Sequence, residues 1–159
     1  MVSGCPECCP KFNPKPWDKK TIKWKDKLFV KDSIRCFLHI PLAFSIKPMM
    51  DRVWPRLVKE KVVPKDIVVL TDERSAWGSD WYFMVTKKVP LMVNLKISGT
   101  FMTKVYEGHY KNMGHWIKDM NNYVSSKKKR VKKMYFFYTT CPKCAKKYGK
   151  NYVVLFAKI

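Results

Sequence analysis

Thr100-Phe101-Met102-Thr103-Lys104-Val105-Tyr106-Glu107 alternates and is expected to be extended. It opens the stretch on which the fold turns, Gly99 to Ile159. Apolar residues then recur at Met113, Trp116, Ile117, Met120 and Val124, a spacing of three and four that places them on one face of a helix. Met134-Tyr135-Phe136-Phe137-Tyr138 suits a strand, because aromatic side chains pack well on a pleated surface. Cys141-Pro142-Lys143-Cys144 interrupts as a loop, and Tyr152-Val153-Val154-Leu155-Phe156-Ala157 reads as a buried strand. A helix with one apolar stripe needs a sheet face to cover it, and these strands supply one.

The preceding chain predicts the same order. Residues 34–40 read as a strand, 48–62 as a helix with a stripe of Met49, Met50, Val53, Trp54, Leu57 and Val58, and 67–71 and 80–86 as strands. Ser45 is a candidate cap, and Pro55 is expected to kink or divide the helix, since it lacks an amide and crowds the preceding turn. Asp72 to Ser79 reads as a loop. Strand 100–107, helix 110–125, strand 132–139 and strand 151–158 match this unit in order and length. The expected fold is therefore α+β, a duplicated β-α-β-β (SHS2-type) antiparallel-rich sheet with both helices on one face. Its halves are residues 28–90 and 91–159 of a single domain, 28–159. Residues 1–27 are expected to be an irregular arm, because Pro6, Pro10, Pro14 and Pro16 forbid regular structure. Trp17 and Trp24 are the expected anchors of that arm.

Composition narrows the function. A chain of 159 residues, 47% hydrophobic and 14% aromatic, is not disordered. It carries no apolar run near the roughly 20 residues of a membrane helix. Met1 to Cys5 lacks a signal-peptide core, so the expected location is cytoplasmic with no membrane partner. The formal net charge is +21, yet Arg stands only at Arg35, Arg52, Arg56, Arg74 and Arg130. Base-reading sites favour the bidentate fork of Arg. A lysine surface instead implies solvation, or weak, salt-sensitive association with nucleic acid. No phosphate loop, HExxH or GxSxG occurs, which disfavours nucleotide and serine-type hydrolysis.

Three constellations remain. Cys5-Pro6-Glu7-Cys8 and Cys141-Pro142-Lys143-Cys144 are both CPxC knuckles, whose spacing lets two thiolates grip one Zn ion from a tight turn. Together they make a four-thiolate structural site of Cys5, Cys8, Cys141 and Cys144, with Cys9 able to replace Cys8. Inert thiols or a redox pair are the alternatives. No organic cofactor is expected. Asp80 and Glu107 stand among aromatics, where a carboxylate gains a raised pKa and can move protons. A hydrolase could divide acid and base work between them; an ordinary ion pair with lysine is the plainer reading. Trp77, Tyr82, Tyr106, Tyr110, Trp116, Tyr135, Phe137 and Tyr138 could wall a cleft between the halves that stacks a flat ligand, although strand alternation commits half of β-strand rings to the core. His39, His109 and His115 do not make a metal set.

Gly99-Thr100-Phe101 through Val105-Tyr106-Glu107-Gly108-His109-Tyr110, with Trp116 on the helix, resembles the second half of GyrI-like small-molecule-binding domains. Cys9-Pro10-Lys11-Phe12, Trp17-Asp18, Trp24-Lys25-Asp26-Lys27, Thr140 to Lys146 and Tyr148 to Leu155 resemble a prokaryotic subgroup often labelled hydrolases. The resemblance implies duplicated β-α-β-β units around a cleft for a small flat or amphipathic ligand. In some similar proteins it implies hydrolytic opening of strained rings. It also implies a Glu on the penultimate strand. Residues 134–138 hold no acid, and Glu107 is the candidate to take its place. The expected protein is thus a small-molecule binder, enzyme or not, as monomer or homodimer.

Overall fold

The computed structural model describes residues 9–38, 40, 41 and 43–159. Cys5, Cys8 and His39 lie outside them. The fold is α+β, with antiparallel strand pairs and three α-helices among the described residues. The described residues divide into two compact units: residues 26–97, and residues 9–25 with 98–159.

In the first unit, the part of β1 (Lys20–Phe37) from Asp26 on pairs antiparallel with β2 (Ile40–Pro41) and β4 (Gly78–Met84), and β4 pairs with β3 (Val69–Ser75). Residues 72–79, expected as a loop, are instead mostly hairpin. β3 runs to Ser75 and β4 begins at Gly78, with a register shift between Asp72 and Ser75. Helix α1 (Ala43–Lys59) buries Met49, Met50, Val53 and Leu57 against Val30, Ile34, Val69, Trp81 and Phe83. Each such side chain contributes about 1.5–3 kcal/mol of transfer free energy. Three expectations need correction. The helix starts at Ala43, and Ser45 donates to the Arg35 carbonyl (3.1 Å) rather than capping a later start. Val58 is 53% exposed, because it falls off the stripe of 49, 53 and 57. Pro55 lies inside the helix without dividing it, the second of the two outcomes expected there, since the apolar face on either side is held by the same core.

In the second unit, β7 (Tyr152–Lys158) lies between β5 (Val93–Glu107) and β6 (Lys133–Tyr138), antiparallel to both. β5 is continuous through Gly99, whose φ of 147° suits glycine alone; a Cβ there would stand 2.7 Å from the Lys158 side chain. A 3₁₀ turn (Tyr110–Asn112) leads into α2 (Met113–Ser126). Its buried residues are Trp116, Met120 and Val124, with Met113 and Ile117 half-buried, against Met102, Phe136, Val153, Leu155 and Ala157. The CPKC stretch is a helix start rather than a loop: α3 (Pro142–Tyr148) follows Cys141, and Gly149 at φ 67° ends it in the left-handed conformation.

Alternation along β6 sends Phe136, with Met134 and Tyr138, toward α2. Tyr135 and Phe137 face the other way, where the rings of the N-terminal segment meet them. Trp17 lies 6.0 Å from Phe137 and 5.7 Å from Phe156; Trp24 lies 4.9 Å from Phe101, which contacts Tyr135. The Thr103 hydroxyl donates to the Trp17 carbonyl, and the Val105 amide donates to Asp18 Oδ1 at 3.1 Å. Lys20 to Lys27, read from sequence as irregular, is the first part of β1.

Candidate functional site

The second unit gathers chemistry at the end of β5, the start of β7 and the ends of α3. β5 closes at Glu107, and Gly108, at φ 136°, turns the chain. Asn151 locks this turn: its Nδ2 donates to the Gly108 carbonyl (2.7 Å), and its own carbonyl accepts from the Gly108 amide (3.0 Å). The Tyr110 hydroxyl donates to Asn151 Oδ1 (3.3 Å), and its ring meets Tyr138 edge-on at 5.4 Å.

Beside this corner the thiols of Cys9, Cys141 and Cys144 converge, their sulfurs all within 4.8 Å of one another. Cys9 and Cys144 are buried. The Cys141 amide donates to Cys9 Sγ (3.3 Å) and the Cys144 amide to Cys141 Sγ (3.5 Å). Three sulfurs that close, one pair from a Cys-x2-Cys turn, are a donor set that could hold a soft divalent ion. Cys9, named from sequence as able to replace Cys8, is one of the three. Cys5 and Cys8 lie outside the described residues.

Against the triad opens a cavity of about 250 Å³, lined by Lys11, Phe12, Thr140, Tyr148, Lys150 and Tyr152. Thr140 is 4% exposed, and its hydroxyl has no hydrogen-bond partner among the described residues. A buried unpaired hydroxyl costs about 1–3 kcal/mol. Lys150 Nζ is held above the ordinary lysine range by a hydrogen bond to Tyr152 and then by the charge of Glu107, which lies 3.9 Å away. Glu107 itself is half-exposed and stands opposite Tyr152 in the β5–β7 ladder. Burial pushes the Tyr110 phenol up, and the Cys141 and Cys9 sulfurs add to that.

The other residues singled out from sequence are dispersed. Asp80 is buried in β4 of the first unit, where it accepts from Ser33 Oγ (2.6 Å) and pairs with Lys31 (3.0 Å). Tyr82 is buried on the same strand. Trp77 is 62% exposed on the β3–β4 turn against Phe37. In the second unit, Tyr106 stacks on Trp116 at 5.6 Å and donates to Asp119 (2.7 Å), while Tyr135 and Phe137 are buried beneath the N-terminal rings. Sequence reasoning missed Lys11, Phe12, Thr140, Tyr148, Lys150 and Tyr152. All six lie in the stretches that carry the family resemblance, Cys9 to Phe12, Thr140 to Lys146 and Tyr148 to Leu155, which was the signal that could have found them.

A family model described as "Bacterial hydrolase" matches residues 2–159. Among curated proteins there is no match. The solved structure of SAV2435 bound to tetraphenylphosphonium is similar at a TM-score of 0.46 and 10% identity, over 87% of this chain and 92% of that one.

Proposed function

The chain belongs to the bacterial hydrolase family, and on that premise we propose that its second unit binds a small flat or amphipathic molecule in the cavity beside the cysteine triad. The lining of the cavity carries this reading: the rings of Phe12, Tyr148 and Tyr152 stand around Thr140, whose buried hydroxyl has no hydrogen-bond partner among the described residues. Phe12, Tyr148 and Tyr152 offer apolar faces, and Lys11 and Lys150 favour an oxygen-bearing or anionic end over a cation. The volume of about 250 Å³ falls just below the usual range of ligand sites, about 300–1,000 Å³, and suits a small molecule. The resemblance to GyrI-like domains supports the same reading, as does the order strand, helix, strand, strand, which a duplication of the unit would produce.

Hydrolysis of the bound molecule is the enzymatic form of this proposal. Glu107 is the candidate base for activating water, with Lys150 beside it to stabilise developing negative charge. Asp80 is the less apt partner, being engaged by Lys31 and Ser33 in the first unit. Cys9, Cys141 and Cys144, with one thiol from the Cys5-Cys8 knuckle, would hold a structural Zn that fixes the floor of the cavity. The test is a ligand screen by thermal shift, followed by turnover of the hits. Thr140→Val should abolish the shift, and Glu107→Gln should keep the shift while losing hydrolysis. Hits unaffected by Thr140→Val would place binding elsewhere and sink the proposal.

A further inference from the structure

A second concavity of the same unit, about 930 Å³, is lined by Lys19, Lys23, Lys127, Lys128, Lys129, Arg130 and Lys132. Its walls contain no acidic side chain; Thr21, Thr100, Met102, Tyr123 and Ile159 complete them. None of the seven cations is ion-paired among the described residues, and Asp119, whose charge reaches Lys19, is itself held by Lys104 and Tyr106. The plain explanation is cations complementing the C-terminal end of α2. That end is worth about half an elementary charge, far less than seven.

The cations stand on fixed backbone. The Lys127 and Lys129 amides donate to the Val124 carbonyl (3.1 and 3.2 Å), the Lys128 amide to Ser125 (2.8 Å) and the Lys132 amide to Lys158 (2.7 Å). Lys128 takes φ 56° in this turn. Like charges held together in this way repel, a cost that an anion removes. We propose that this groove binds single-stranded nucleic acid through its phosphates.

Three features select that occupant. Six of the seven cations are Lys, which hold phosphates as point charges without reading bases. The exposed parts of the half-buried Tyr123 and Ile159 give an unstacked base an apolar and aromatic edge, which the stacked bases of a duplex cannot use. No large exposed apolar side chain stands at the rim, so the groove lacks what a lipid surface would need.

The test is fluorescence anisotropy of a labelled oligo(dT) on the full chain across a salt series. Engagement of five to seven phosphates predicts a slope of log affinity on log salt of about −3.5 to −5. Reversing Lys127, Lys129 and Lys132 to Glu should shallow that slope by about 2. Reversing the exposed Lys59, Lys65 and Lys87 of the first unit, the same change in net charge, should leave it nearly unaltered. Both triple variants should keep the parent melting temperature within a few degrees. Equal losses in the two triples would reduce the effect to net charge and overturn the proposal. So would full displacement of the oligonucleotide by micromolar mononucleotide or pyrophosphate, or binding to phosphatidylserine vesicles without binding to the oligonucleotide. Because the cavity beside the cysteines is untouched by these variants, Thr140→Val should bind the oligonucleotide as the parent does.

Discussion

The Tyr148 hydroxyl, on the last residue of α3, donates a 2.6 Å hydrogen bond to the backbone carbonyl of Cys9. It joins the N-terminal segment to the C-terminal helix at the point where the three thiols meet. Lys11, two residues on from Cys9, lies 5.9 Å above the same tyrosine ring. Tyr148→Phe should therefore cost about 1 kcal/mol in urea unfolding, the net worth of a hydrogen bond plus the orphaned carbonyl. An unchanged midpoint would show that the segment is held by its tryptophans alone.

The thiols should reveal themselves by metal substitution. Protein reconstituted with Co(II) is expected to show intense thiolate-to-metal absorption in the near ultraviolet and the ligand-field bands of a tetrahedral site. Cys9→Ser, Cys141→Ser and Cys144→Ser should each abolish it. Chelator added to freshly purified protein should lower the melting temperature, because metal affinity adds directly to folding free energy. Metal-free protein that melts the same with and without chelator would leave three plain thiols.

Thr140→Val should stabilise the ligand-free protein by about 1 kcal/mol, since an isosteric methyl replaces a hydroxyl that has no partner. Most substitutions of buried residues act in the opposite direction. A loss of stability would mean that the hydroxyl is satisfied by ordered water.

Tyr106 and Asp119 set two edges of a pH profile. Burial, and then the hydrogen bond to Asp119, push the Tyr106 phenol well above its ordinary value. Its stabilisation is present below about pH 10 and is lost as pH climbs beyond, where the unfolded chain ionises first. Hydrogen bonds from Lys104 and then Tyr106 hold the Asp119 carboxyl below the usual range, so its contribution is present above about pH 4 and fades as pH falls through the folded value. Asp119 is half-exposed, so Asp119→Asn should cost under about 1 kcal/mol at pH 7. Tyr106→Phe should blunt the alkaline loss. Unfolding midpoints measured at several pH values would show both edges, and a wild-type profile flat through pH 11 would contradict the first.

The second unit's core was legible in sequence because its periods are clean. Met113, Trp116, Ile117, Met120 and Val124 recur as a helix must, and Phe136 and Phe137 part to opposite faces as a strand requires. The strand from Lys20 was hidden by the prolines before it, although Ile22 and Trp24 already alternate with exposed Thr21 and Lys23. Val58 passed for a stripe residue because apolarity alone does not separate an edge position from a central one. The cysteine site was legible as to type, but no local spacing distinguishes Cys8 from Cys9. The cavity's lining lay in the stretches that carried the family resemblance, but nothing in their local pattern marked a cavity. Lys11, Thr140 and Tyr152 are ordinary residues that become a site only where distant segments meet.

The placement of β7 between β5 and β6 bears on how the molecule is made. On a ribosome, residues 9–25 and β5 leave the tunnel long before their shared neighbour exists. Until Tyr152 to Lys158 emerge, both flanking strands carry open edges, and Phe101, Trp17 and Trp24 lack the ring of Phe156 on which they close. The nascent polypeptide must keep those rings from pairing elsewhere, and its abundant lysines supply the mutual repulsion that would do so.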